Sequence, residues 1–384
     1  MTIQINPVLA RMRPYPFLKL NEAKKAALAR GLKLIDFSVG DPHERTDPAI
    51  REALIESVEE RSRYPMSEGL PEHREAIAAW IRSRYGVAVD PHLEVVPTLG
   101  SKEAIFSLAQ VVIDPQSERD LVVVTEPGYP IPERGAEMVG ARVLRLPLLE
   151  SNRFLPDLSA VPAEEWDRIA IFWINYPNNP TAAVAPLAFL EDLAQRAVRH
   201  GFVLASDEAY SEIYFGEPTP SALQVSDRSH VAVFNTQSKR SSMTGYRAGF
   251  VAAAPELVHA LKLYRPLNGT AVPEFIQRAS MAAWGREDHV AAMRSVYAEK
   301  RALFVAFFRR KGIRIAGSEA TFYLWSEVPA GETSEAFASR LLEAGVVVAP
   351  GSFFGDAGEG YFRLALVPTV EDCRRATELL ESVL

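Results

Sequence analysis

Lys239 stands just past the apolar run Val231-Ala-Val-Phe234, after Thr236-Gln-Ser238 and before Gly245-Tyr-Arg247. An amine in that position can bind an aldehyde covalently and then carry a proton to and from a neighbouring carbon. Burial and a nearby cation would lower its pKa towards neutrality. A lysine taken alone is a solvated surface residue; the company of this one sets it apart. Leu121–Thr125 runs into Glu126-Pro-Gly-Tyr129, Ile169–Ile174 into Asn175-Tyr-Pro-Asn-Asn-Pro180, and Phe202–Ala205 into Ser206-Asp-Glu-Ala-Tyr210. Together these junctions offer an aromatic ring, amides, a carboxylate, a phenol, hydroxyls and an amine. A phosphorylated heteroaromatic aldehyde would use all of them.

Asp207, facing a ring nitrogen, would keep it protonated so that the ring accepts electrons; standing alone it reads equally as a helix cap. Tyr210 and Asn179 can donate to a phenolic oxygen on the ring, Ala209 is small enough to lie against one face, and Tyr129 can stack on the other. Asn178–Pro180 in isolation is a plain turn. For a phosphate, Gly100, Ser101 and Lys102 precede a helical stretch, so backbone N–H groups and a hydroxyl meet an anion at a helix N-terminus. Lys102 either adds charge there or is solvated. Ser238 and Arg247 close the cradle, Arg247 as a two-pronged donor. Arg363, in Tyr361-Phe-Arg-Leu-Ala365, can clamp a substrate carboxylate. If buried, it needs an anion or an acidic partner.

The elements that must position these groups follow a β-then-α rhythm. Runs that are apolar throughout suit strands covered on both faces, hence a mostly parallel α/β sheet with the ligand beyond the strands' carboxyl ends. The helix after Pro186 is expected to bury Leu190, Leu193 and Val198 as one stripe. Beyond Thr270 the rhythm changes: Glu274 to about Lys311 reads as nearly continuous helix, followed by shorter strands and helices. The expectation is a large α/β domain over 40–275 and a smaller α+β domain made of 1–39 and 276–384, with no strand in the first forty residues.

The chain has 384 residues, 48% apolar and 24% charged, enough to bury a sizeable core. Its net charge of −7 argues against nucleic acid or an anionic membrane as partner. The single cysteine, Cys373, excludes an intrachain disulfide and fits a reducing cytoplasm. Neither a signal peptide nor an apolar run of about 18 residues, the length a spanning helix needs, is found. Seven scattered histidines predict no metal site.

In order along the chain, Gly40-Asp-Pro42, Tyr64–Pro71, Gly100-Ser-Lys102, Pro127-Gly-Tyr129, Asn175–Thr181, Asp207–Tyr210, Ser238-Lys239, Gly245-Tyr-Arg247 and Arg363 resemble the class I/II aminotransferases of fold type I, which use pyridoxal 5′-phosphate. The resemblance covers nearly the whole length. It implies Lys239 as the lysine that holds the cofactor, Asp207 opposite its ring nitrogen, and Asn179 with Tyr210 on its hydroxyl. Arg363 and the Gly40 backbone would hold the substrate carboxylate. Tyr64 resembles the tyrosine that reaches the neighbouring subunit's phosphate, implying a homodimer with shared active sites; Thr270 is a further candidate to cross. Two departures are visible: Ala182 stands where a glycine is usual, and Thr236 where serine is frequent, still supplying a hydroxyl.

Ser238–Arg247, Gly269–Phe275, Ala283-Trp-Gly285 and Arg363–Thr369 are most similar to succinyldiaminopimelate aminotransferases of lysine biosynthesis. That resemblance implies a ping-pong exchange between an amino-acid donor, glutamate, and a keto-acid acceptor with a long succinylated tail. Arg265 is then either an outer-pocket cation or a surface residue near the domain junction. The competing readings are an aspartate/aromatic-type aminotransferase, a C–S β-lyase on the same fold, and a non-catalytic sensing domain. The last lacks any preceding DNA-binding segment.

Overall fold

The four apolar runs become neighbouring strands of one seven-stranded sheet. The structure, a computed structural model, describes residues 3–12, 17–61 and 63–384. Across the sheet the order is Val95–Thr98, Gly249–Ala253, Val231–Thr236, Val203–Asp207, Ile169–Asn175, Leu121–Glu126 and Arg142–Pro147. Gly249–Ala253 runs antiparallel to both neighbours, and the remaining pairings are parallel. Every residue of Ile169–Asn175 is buried, as a β-rich strand with helices on both faces requires. Register places Asn175 beside Asp207 and Asp207 beside Phe234, so the polar residues emerge level at one edge.

A four-stranded antiparallel sheet, ordered Ala349–Pro350, Tyr361–Ala365, Tyr323–Glu327 and Ile315–Gly317, carries Arg363 on an inner strand between Ala349 and Trp325. Ile35–Asp36 pairs in parallel with Val346–Val347. The first forty residues thus do hold a short strand, against the sequence expectation. Two residues are too few to show a period-2 pattern.

Two helix expectations also need correcting. Leu187–His200 buries Leu190, Leu193, Ala194 and Ala197, an i, i+3, i+4, i+7 stripe, while Val198 is 38% exposed. Gly201, with φ +72, ends that helix in the left-handed conformation a Cβ would resist. The expected long helix is broken into Glu274–Trp284 and Asp288–Arg310. Gly285 weakens it, and buried Arg240 intervenes, donating to the Ala283 carbonyl at 2.9 Å and to Glu287 at 2.5 Å. Arg240 lies over the rings of Trp80 and Trp284.

Candidate active site

The site is assembled at the carboxyl ends of the parallel strands, each followed by a turn that aims one or two side chains. After Val231–Thr236, the Thr236 hydroxyl accepts from the Ser238 backbone N–H at 3.2 Å and starts a single helical turn, Gln237–Arg240. That turn carries Lys239. After Ile169–Asn175, the Asn175 side chain donates to the Asp207 carbonyl at 2.8 Å and accepts from the Asn179 N–H at 2.8 Å, tying two junctions together.

A cavity of about 500 Å³ opens between this edge and the antiparallel sheet. Gly40, Ser101, Lys102, Tyr129, Asn179, Asp207, Ala209, Tyr210, Thr236, Ser238, Lys239, Arg247 and Arg363 all line it. Lys239 Nζ donates to the Gly40 carbonyl at 2.5 Å. Its pKa is lowered to about 8: burial is the main cause and Arg363 and Arg247 add to it, against the opposing charges of Asp41 and Asp207. Burial pushes the Asp207 carboxyl up to about 7, although the Ala209 N–H and Lys239 pull it down. A carboxyl so poised shares a proton readily with a facing base.

Arg363 is 3% exposed and donates to Asn179 Oδ1 at 2.6 Å and to the Ser38 carbonyl at 2.5 Å. Its Nε has no hydrogen-bond partner, and no carboxylate pairs with it among the described residues. A buried guanidinium left so calls for an anion. Since arginine only donates, Asn179 must turn its oxygen towards it, which frees its NH₂ for a ligand.

On the opposite side, Ser101–Val112 begins at Gly100, with φ +70 and no side-chain cap on the first turn. A Cβ on Gly100 would come within 2.5 Å of the Arg247 guanidinium. Arg247 donates to the carbonyls of Leu99 at 3.0 Å and Thr244 at 2.9 Å, which holds its fork at the helix entrance.

Sequence reasoning missed Tyr323, whose hydroxyl is 2.8 Å from that of Tyr210, and Asp41, Phe17, Asn21 and Phe354, which also line the cavity. Tyr323 lay within a run read only as a strand; its pairing with Tyr210 spans 113 positions. Arg265 does not reach the cavity. It is 1% exposed and paired with Glu103 at 2.5 Å, beneath the helix that starts at Gly100, because a buried cation needs such a counter-charge. Thr270 bonds Asn268 at 2.5 Å and is absent from the lining, as is Tyr64, which is fully exposed. Ala182 adopts φ +59, the left-handed turn that its usual glycine would take without strain.

An amine, a buried carboxyl, a phenol pair and an anion cradle at the strand ends of an α/β sheet define a pyridoxal-phosphate enzyme of the amino-group-transferring class. Residues 33–380 match the family described as aminotransferase class I and II, and the chain belongs to that family. It is a pyridoxal-phosphate-dependent aminotransferase acting on amino and keto acids. It is 39% identical over 373 residues to an LL-diaminopimelate aminotransferase of Nitratidesulfovibrio vulgaris, covering 95% of each chain. Substrate-bound BacF from Bacillus subtilis superposes with a TM-score of 0.94 at 30% identity, over 100% of this chain and 98% of that one. A probable N-succinyldiaminopimelate aminotransferase of Thermus thermophilus gives 0.89 at 31% identity, over 96% and 100%.

The residues present fit the cofactor. The uncapped helix start and the Arg247 fork, whose close approach a Cβ on Gly100 would block, suit its phosphate. Asp207 suits its ring nitrogen and the freed amide of Asn179 its hydroxyl.

Proposed function

We propose that this aminotransferase takes a diaminopimelate skeleton as its amino-acid substrate and exchanges the amino group with the glutamate/keto-glutarate couple. The observation that carries this reading is that Asp41 and Lys102 both line the cavity. Neither makes a salt bridge or side-chain hydrogen bond among the described residues. A carboxylate and an ammonium on the wall suit the far end of diaminopimelate, which has both an ammonium and a carboxylate. The relatives named LL-diaminopimelate aminotransferases support the same reading. The likeness to the Thermus protein favours a second reading, the N-succinylated substrate expected from sequence, whose tail has no ammonium.

Pyridoxal phosphate, when bound, supplies an aldehyde for amines and a ring that accepts the electron pair released at the substrate Cα. Arg363 and the Gly40 backbone hold the substrate carboxylate and so orient Cα. The Lys239 amine would take the Cα proton and pass it to the cofactor's former aldehyde carbon, a task suited to a base with a pKa near 8. Asp207 would hold a proton at the ring nitrogen, and Tyr210, steadied by Tyr323, would donate to the ring oxygen.

The same reading places Tyr64 across a homodimer interface, towards the neighbouring phosphate. The exposed side chains of Tyr64, Met66, Leu263, Leu267 and Phe275 support a buried partner face. It also keeps residues 40–275 as the cofactor domain and 1–39 with 276–384 as the smaller one, Glu274–Trp284 straddling the boundary, in a cytoplasmic enzyme.

Glutamate formation from LL-diaminopimelate and from its N-succinyl derivative, measured side by side, tests the substrate. At least about tenfold higher kcat/KM for the free amino acid is expected, or about 1.4 kcal/mol. The opposite order would transfer the assignment to the succinylated compound, and pyruvate release from cystathionine would favour the lyase. Lys239→Ala is expected to abolish the covalent cofactor; a borohydride-fixed adduct on another residue would defeat the reading.

A further inference from the structure

The segment from Phe37 to Thr46 is a strap that brings Val39, Gly40 and Asp41 to the cavity wall. Among the described residues, its one hydrogen bond with the reactive amine is accepted by the Gly40 carbonyl, 2.5 Å from Lys239 Nζ. Before Gly40 the strap is held by its backbone: the Phe37 N–H donates to the Val347 carbonyl and the Phe37 carbonyl accepts from the Ala365 N–H, both at 2.8 Å, and the Ser38 carbonyl accepts from Arg363 at 2.5 Å. Side chains add further ties. The Phe37 ring meets Phe304 edge-on, with centroids 5.2 Å apart. The Glu44 carboxylate pairs with Lys300. The Thr46 hydroxyl donates to the Ser242 carbonyl at 2.7 Å, three residues past Lys239. Lys300 and Phe304 are four residues apart on Asp288–Arg310 and so share one face of a helix, no residue of which lines the cavity.

The Lys300 side chain has 0% exposure, and among the described residues Glu44 is its only ion-pair partner. Its Nζ lies 5.1 Å from the Tyr297 ring, whose hydroxyl is buried without a partner. Tyr297 packs on Phe322 at 5.3 Å, and Phe322 lies 5.8 Å from Lys239 Nζ. Burying a lysine is a poor way to gain stability, since an apolar residue of like volume does as well or better. What the pair does supply is a fixed position. The tolerance there is small: a Cβ on Gly40 would sit 2.0 Å from the Tyr323 hydroxyl.

The geometry points to Lys300 and Glu44 as a positioning pair that holds Gly40 and Asp41 beside Lys239, so that the amine's surroundings and the substrate-carboxylate site depend on a helix outside the cavity. This inference rests on Lys239 being the reactive amine. The charged groups facing that amine are Asp41, Asp207, Arg247 and Arg363; around the pair stand the neutral titratable groups Tyr297 and Cys373, with Asp372 and Glu299 charged nearby. Cutting the tie slackens the strap and admits water. Burial is the largest cause of the lowered Lys239 pKa, so its relief outweighs the loss of Asp41's upward pull and raises the midpoint above about 8.

The test compares Lys300→Met and Glu44→Gln with the parent protein. In cofactor-free protein, acetylation of Lys239 by acetic anhydride across a pH series, read by peptide mass, gives the amine's titration midpoint. In holoenzyme, kcat and the amino-donor KM are measured separately. The midpoint is expected to rise by at least about half a pH unit, about a threefold loss of free amine below it. KM is expected to rise about tenfold, and more than kcat falls. An unmoved midpoint and KM in folded variants, with only the melting temperature lowered, would make the pair a structural tie and overturn the inference. Should Lys300→Met fail to fold, Glu44→Gln, isosteric on a partly exposed side chain, decides alone. A covalent cofactor surviving Lys239→Ala would defeat the assigned function instead, a result distinct from an unmoved midpoint.

Discussion

Two arginines face the cavity from opposite sides, and they are held differently. Arg247 is exposed, sits in the left-handed conformation at φ +56, and donates to two backbone carbonyls. Arg363 is buried over the rings of Tyr323 and Phe354, at 4.3 and 4.6 Å, with its Nε unpartnered. Water can serve the first in the absence of a ligand, so its charge costs little to keep. The second has no such substitute. An anion therefore gains most on the Arg363 side, whereas the Arg247 side spreads its grip over a helix start and hydroxyls.

The largest effect should come from breaking the buried side. Arg363→Ala is expected to lower kcat/KM for the amino donor about 10²- to 10³-fold, or about 3–4 kcal/mol, within the range typical of breaking a buried charge pair. Arg363→Lys should recover little, lacking the fork. A loss below tenfold would place the carboxylate elsewhere. On the exposed side, Arg247→Ala should weaken cofactor retention about tenfold, roughly the worth of one charge-assisted hydrogen bond, with the donor KM nearly unchanged. Cofactor release followed by fluorescence after dilution measures it; a KM effect exceeding the release effect would mean the two cations have exchanged roles. The smallest effect concerns the turn that presents Asn179 to Arg363. Ala182→Gly should raise the unfolding free energy by about 1 kcal/mol through relief of its positive φ, with kinetics unaltered. A lowered melting temperature would show that the buried methyl outweighs the strain.

The gathering of residues at the strand ends was legible because each junction is local: an apolar run, then a polar turn within five residues, as at Asp207 and Lys239. The sheet followed from the same runs. What escaped depended on partners far along the chain. Arg265 looked free for a substrate until Glu103, 162 positions away, proved to be its counter-charge. The break at Gly285 owes as much to Arg240 as to the glycine. In Leu187–His200, Ala194 and Ala197 complete the buried stripe, and small residues carry a weak hydropathy signal against Val198. Tyr323 and Asp41 belong to segments whose local pattern says strand or loop, and only the closed cavity gives them a task.

The hydrogen bonds that close the cavity join Lys239 to Gly40 across 199 residues, Arg363 to Asn179 across 184, and Arg363 to Ser38 across 325. Loop-closure entropy makes contacts of such separation late events in folding. A chain still emerging from the ribosome, or cut before Tyr361, would have the lysine yet lack the carboxylate site. With Arg363 in its proposed role, turnover would require that the segments of Gly40 and Arg363 have met.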